Sequence, residues 1–142
     1  MRTVMVLNGP NLDKLGTREP DVYGSLTLAD IQTKCDEFGH ANSLAIDFRQ
    51  SNDEAVIIGW LHEAAESGTP VILNPAAFTH YSVAIRDAAA MCTAPLIEVH
   101  LSNPIKREEF RHTSLISGLA HGTISGFGAN SYLLALRAML EL

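Results

Sequence analysis

The chain has 142 residues, 46% of them hydrophobic and 18% charged, with a formal net charge of −6 and a pI of about 5.4. That length suits one domain spanning residues 1–142, and the apolar content supplies a packed core and excludes disorder. The acidic balance without a basic stripe excludes nucleic acid as a partner, and no apolar run approaches the roughly 20 residues that span a bilayer.

In chain order, residues 3–7 (T-V-M-V-L) are apolar and β-branched and predict a buried strand. They begin directly after the N-terminal residues with no signal-peptide core, so a cytoplasmic location is expected. Thr27 opens a helix as a hydroxyl N-cap with Asp30 at the capping-box position, and Leu28, Ile31, Cys35 and Phe38 share one face. Residues 43–49 return to strand character. The S-N-D-E run at 51–54 is a capping box that starts a second helix through Ile57, Ile58, Leu61 and Ala65, stopped at Gly68. Residues 70–73 form a third strand, 82–91 a third helix, 95–101 a fourth strand, 122–125 a short fifth strand and 131–140 a last helix. Strands alternating with helices predict right-handed βαβ units: an α/β, flavodoxin-like, doubly wound five-stranded parallel sheet with helices on both faces. Cys35 and Cys92 fall inside helices and read as buried reduced thiols. The six histidines show neither i, i+4 pairing on one helix nor finger spacing, so no metal is expected.

Such sheets bind ligands beyond the carboxyl ends of their strands, at the point where strand order reverses. Three of those ends carry chemical residues: Asn8-Gly-Pro-Asn11 after strand one, Asn74-Pro-Ala-Ala-Phe-Thr-His80 after strand three, and Glu98-Val-His100-Leu-Ser102-Asn103 after strand four. Asn and Pro are ordinary turn formers singly, but together the three segments describe a polar pocket. Glu98 and His100, at i and i+2 on a strand, point to the same side, as a carboxylate orienting an imidazole requires. Leu101 and Ser102 follow with backbone N–H groups suited to a carboxylate. An acidic chain that binds an anion must concentrate positive charge locally.

The connection between strand one and its helix is too long for a simple βα turn and predicts a lid, with Gly16 and Gly24 as hinges. It carries Arg18 and Tyr23. At a pKa of about 10, roughly one phenol in a thousand is ionised at pH 7, a cost of about 4 kcal/mol for use as a base. A guanidinium beside it favours the phenolate, and lid closure strengthens the pairing by excluding water. Arg18 is the candidate partner and Arg111 a second cation for the same region.

In order along the chain stand N-G-P-N-L at 8–12, R-E-P-D-V-Y-G at 18–24, N-P-A-A-F-T-H at 74–80, E-V-H-L-S-N at 98–103 and R-E-E-F-R-H-T-S at 107–114. This pattern closely resembles type II 3-dehydroquinate dehydratase over essentially the whole chain. The resemblance implies a single catalytic domain of the shikimate pathway, performing a cofactor-free anti elimination of water from 3-dehydroquinate through an enolate to 3-dehydroshikimate. It implies Tyr23 as the base that takes the α-proton and Arg18 as the group that lowers its pKa. It further implies Asn11 as holder of a water at the enolate oxygen, and His100, oriented by Glu98, as the acid that assists loss of the hydroxyl. Asn74, His80 and Arg111 would bind the ring hydroxyls, and the Leu101 and Ser102 amides the carboxylate. Asp87, which by pattern alone is part of a solvated helix face, matches a position that reaches the site of a neighbouring subunit, in a dodecamer built from trimers. The rival reading is a flavin- or phosphate-binding module on the same fold. Against it, the loop after strand one lacks a Ser/Thr/Gly-rich phosphate cradle, and no G-x-G-x-x-G is present.

Overall fold

The computed structural model of the chain describes residues 1–17, 19–23 and 25–142, and of Tyr23 the backbone only. Its strands are β1 (Arg2–Asn8), β2 (Leu44–Gln50), β3 (Val71–Asn74), β4 (Leu96–His100) and β5 (Gly122–Ser125); its α-helices are α1 (Pro20–Tyr23), α2 (Leu28–Ala41), α3 (Glu54–Ser67), α4 (Val83–Ala90) and α5 (Asn130–Met139). The strands pair in parallel in the order β2-β1-β3-β4-β5. This is the flavodoxin-like doubly wound sheet expected from the alternation of elements, and its order reverses between β1 and β3. Every strand, and the helices expected at 82–91 and 131–140, lies within one residue of its expected ends.

Side-chain alternation divides the core. Val4, Val6, Ile72, Ile97 and Val99 pack with Ile31 and Cys35 of α2 and Tyr132, Leu136 and Met139 of α5. Met5, Leu7, Val71, Leu73 and Leu96 pack on the opposite face with Ile57 and Leu61 of α3 and Ile85 of α4. Both cysteines are free, and they belong to opposite faces of the sheet, so the fold keeps them apart. Burial raises the Cys35 thiol to about 12, which leaves it protonated and inert.

Helix starts follow side-chain capping. Thr27 accepts from the Asp30 N–H (3.1 Å) while Asp30 accepts from the Thr27 N–H (3.0 Å), completing the foreseen capping box. The start of α3 differs from expectation. Asp53 is its N-cap, accepting from the Ala55 N–H (2.9 Å), and Ser51 accepts from the Asp53 N–H (2.9 Å) to set the preceding turn. An Asp two residues closer to the helix outcompetes the serine for the orphan amides. Glu54 instead accepts from Ser82 Oγ (2.5 Å), the N-cap of α4, and so couples α3 to α4. Gly68, at φ 66°, closes α3 in the left-handed region that glycine adopts without strain.

Candidate active site

Four short 3-10 turns absent from the expected elements shape the sheet's carboxyl edge: Leu12–Lys14, Ala76–His80, Pro104–Lys106 and Glu109–Arg111. At the switch point the Gly9 N–H donates to the Asn74 carbonyl (2.8 Å). A Cβ on Gly9 would stand 2.5 Å from the Pro75 carbonyl oxygen, so only glycine lets the two strand ends meet here. Asn11 adopts φ 68°, a conformation asparagine tolerates, and its N–H donates to Asn52 Oδ1 (2.9 Å).

Asn74 is held from two sides. Its Oδ1 accepts from the Ala76 N–H (3.1 Å) and its Nδ2 donates to Tyr132 Oη (2.9 Å). The Tyr132 hydroxyl donates in turn to Asn8 Oδ1 (2.6 Å). Tyr132 is fully buried, and that burial pushes its phenol well above the usual range, so it serves as a neutral hydrogen-bonding strut.

Above these residues lies a cavity of about 200 Å³. Asn11, Asn74, His80, His100, Leu101 and Ser102 all line it, as does Arg111. Arg107 lines it as well, donating from Nη1 to Ser102 Oγ (3.4 Å). Arg107 and Arg111, with side chains only 14% and 18% exposed, are the local positive charge that the acidic chain needs to bind an anion. Arg111 is oriented by donating from Nε to Glu108 Oε1 (3.1 Å).

The strongest polar feature is beneath His100. Glu98 is fully buried and on the same side of β4 as His100, as their spacing required. Its Oε2 lies 2.5 Å from His100 Nε2 and accepts from Thr79 Oγ1 (2.6 Å); its Oε1 accepts from Ser117 Oγ (2.6 Å), and Ser114 Oγ reaches both oxygens (2.9 Å). Burial by itself would raise the carboxyl, yet the His100 contact and the Ser117 and Thr79 hydroxyls bring it down to about 2. Glu98 is therefore an anion at neutral pH. His100 presents Nε2–H to it, which leaves Nδ1 as the nitrogen able to exchange a proton with a ligand. His80 places Nδ1 2.8 Å from the Thr113 carbonyl, so that nitrogen carries the proton. Burial, reinforced by His100 and Arg111, holds its pKa below the ordinary imidazole value despite that carbonyl, so His80 is a neutral polar group at pH 7.

Among the expected site residues, Asn11, Asn74, His80, His100, Leu101, Ser102 and Arg111 thus meet at one cavity, with Glu98 behind His100. Asp87 does not join them: it lies on the exposed face of α4, 3.3 Å from Arg86. Arg18, Gly24 and the Tyr23 side chain lie outside the described residues; the Tyr23 backbone ends α1. Three features were not foreseen: Arg107, the Tyr132 strut and the hydroxyls around Glu98. Arg107 heads the R-E-E-F-R-H-T-S motif, which was the available signal. His121 brackets the start of β4 by donating its N–H to the Leu96 carbonyl (2.8 Å) and accepting from the Leu96 N–H at Nδ1 (3.4 Å). Among the described residues no His, Cys, Asp or Glu group of three or more is arranged to hold a metal ion, and no helix is long and apolar enough to cross a membrane.

The family model described as dehydroquinase class II matches residues 2–140. A 3-dehydroquinate dehydratase of Salinispora tropica is 55% identical over 133 residues, 94% of this chain and 93% of that protein. One from Halalkalibacterium halodurans is 54% identical over 141 residues, 99% of this chain and 97% of that protein. Among solved structures, the type II dehydroquinase of Propionibacterium acnes superposes with a TM-score of 0.98 at 46% identity, covering 100% of this chain and 98% of that one. With its fold, its strand-end cavity and its full-length similarity in agreement, the chain belongs to the class II dehydroquinase family.

Proposed function

We infer that the chain is a 3-dehydroquinate dehydratase that removes water from 3-dehydroquinate to give 3-dehydroshikimate. The observation that carries the reading is an anionic Glu98 beneath His100, at a cavity flanked by Arg107 and Arg111, in a member of this family. The family match leaves the flavin- or phosphate-binding alternative without support.

In the proposed reaction Tyr23, as the phenolate favoured by Arg18, takes the proton beside the substrate ketone. The electron pair moves into the carbonyl to form an enolate, whose oxygen is met by a water held on Asn11. The enolate collapses and expels the β-hydroxyl, which takes the Nδ1 proton of His100 and leaves as water. Glu98 favours the imidazolium before this transfer and fixes the Nε2–H tautomer after it. Asn74, His80 and Arg111 bind ring hydroxyls, and the Leu101 and Ser102 amides with Arg107 receive the carboxylate. Acid, base and enolate stabiliser all come from the chain, so the reading is of a cofactor-free, cytoplasmic, single-domain enzyme. Asp87, turned away from its own cavity, would serve a neighbouring copy in a dodecamer built from trimers, an assembly that light scattering would reveal by mass.

The test is to add 3-dehydroquinate to EDTA-treated protein and follow absorbance of the conjugated enone. A rise with formation of 3-dehydroshikimate is expected; recovery of unchanged substrate sinks the assignment. Arg18→Ala tests the base's activation. With its guanidinium gone the Tyr23 pKa rises, so the low-pH limb of kcat/KM, where the base loses activity by protonation, moves to higher pH. An unmoved limb would leave Arg18 with substrate binding alone.

A further inference from the structure

We propose that Thr79, Ser114 and Ser117 are positioning residues: their hydroxyls form a one-way cage around Glu98 that tunes the acidity of His100. This deepens the dehydratase reading and rests on it for the meaning of His100 as an acid.

Ser114 Oγ accepts from the Ile116 and Ser117 N–H groups (both 3.1 Å), which fills its lone pairs and leaves its single proton for Glu98. Thr79 Oγ1 lies 2.9 Å from that occupied oxygen and 2.6 Å from Glu98 Oε2, so its proton also goes to the carboxylate. Ser117 Oγ accepts from Thr123 Oγ1 (3.2 Å) and donates to Glu98 Oε1. With His100 Nε2–H as the fourth donor, every proton around Glu98 points inward. Such a cage fits a carboxylate. A carboxylic acid would bring one proton too many.

The inward dipoles also act on His100. Their positive ends lie between the carboxylate and its surroundings and offset part of the field that Glu98 exerts on the imidazole. A bare buried carboxylate would hold the imidazolium proton too tightly, and a tighter hold makes a weaker acid. The hydroxyls keep Glu98 charged and moderate its pull. The other titratable or charged groups facing the pair are His80 after β3 and Arg107, Arg111 and His112 in the turns after β4, all unaltered by changes to the cage.

Thr79→Val is the discriminating variant, because it replaces a hydroxyl by a methyl at a position only 1% exposed, where water has little access to replace it. The His100 ring signals, followed by NMR against pH in the ligand-free protein, are expected to titrate about one pH unit higher. The high-pH limb of kcat should move in the same direction with KM changed less than about twofold, and Thr79→Ser should restore both. Ser117→Ala, at an exposed position open to water, should give a smaller shift of the same sign, and it decides the matter if Thr79→Val does not fold. His100 titrating as in the unaltered protein in the folded variants overturns the cage. Because the NMR readout needs no turnover, a protein without dehydratase activity would refute the reading of function while the titration still judged the cage.

Discussion

Tyr23→Phe is expected to lower kcat by about 10³-fold, within the range a general base contributes, while substrate affinity changes little. Phenylalanine keeps the ring and removes only the ionisable oxygen, so any contact the ring makes with substrate would be preserved. The size of the effect follows from the chemistry demanded of the phenol. Using it as a base at neutral pH costs about 4 kcal/mol before any help from Arg18, a cost worth meeting only if the proton transfer depends on it. Steady-state kinetics with calorimetric binding of substrate to the variant separates the two quantities. Retention of most of kcat would move the base to another group, and loss of binding in step with kcat would make Tyr23 a substrate-holding residue.

Glu98→Gln is expected to damage both stability and turnover. The carboxylate accepts from Thr79, Ser114, Ser117 and His100; an amide of the same shape offers one oxygen and turns an NH2 group towards donors. Each buried donor left without an acceptor costs about 1–3 kcal/mol, and turnover should fall by about 10²-fold as His100 loses the anion that supports its charged form. The pH dependence is diagnostic. Glu98 drops from 4.5 to about 2 on folding, so its stabilisation is fully present above about pH 4.5 and is lost as pH falls towards 2. Urea midpoints of the unaltered protein should decline through that window more steeply than those of Glu98→Gln, since the other carboxylates are common to both and cancel. Parallel profiles would show that Glu98 is not held as an anion.

Much of this was legible in the sequence because the signals are local. The period of apolar residues marks strands and helices, Thr27 with Asp30 writes a complete capping box, and Glu98 with His100 must share a side of a strand whatever the fold around them. Where two local signals compete, sequence reading fails: Ser51 and Asp53 both offer an acceptor near the start of α3, and Asp53, two residues nearer the helix, takes the Ala55 N–H while Ser51 takes the Asp53 N–H. The hydroxyls around Glu98 were illegible for a different reason. Thr79 comes from the turn after β3, Ser114 and Ser117 from the segment before β5, and serine or threonine in a loop is the commonest reading of such positions. Tyr132 is likewise a buried helix residue by pattern, and its hydroxyl finds Asn8 across 124 positions of sequence. Side chains that act by meeting distant partners carry no periodic mark.

That tyrosine has a consequence for how the molecule opens. Its hydroxyl bridges Asn8 at the end of β1 and Asn74 at the end of β3, and its backbone belongs to the C-terminal helix. A helix near a chain end ordinarily frays as an independent unit with little free energy. Here the unfastening of α5 would release two asparagines at the switch point and expose a phenol that burial keeps protonated, so the helix is bound into the same cooperative unit as the central strands. The amides of α5 should then exchange with solvent only through openings that also dismantle the floor of the cavity, and the site exists only in molecules whose C-terminal helix is docked.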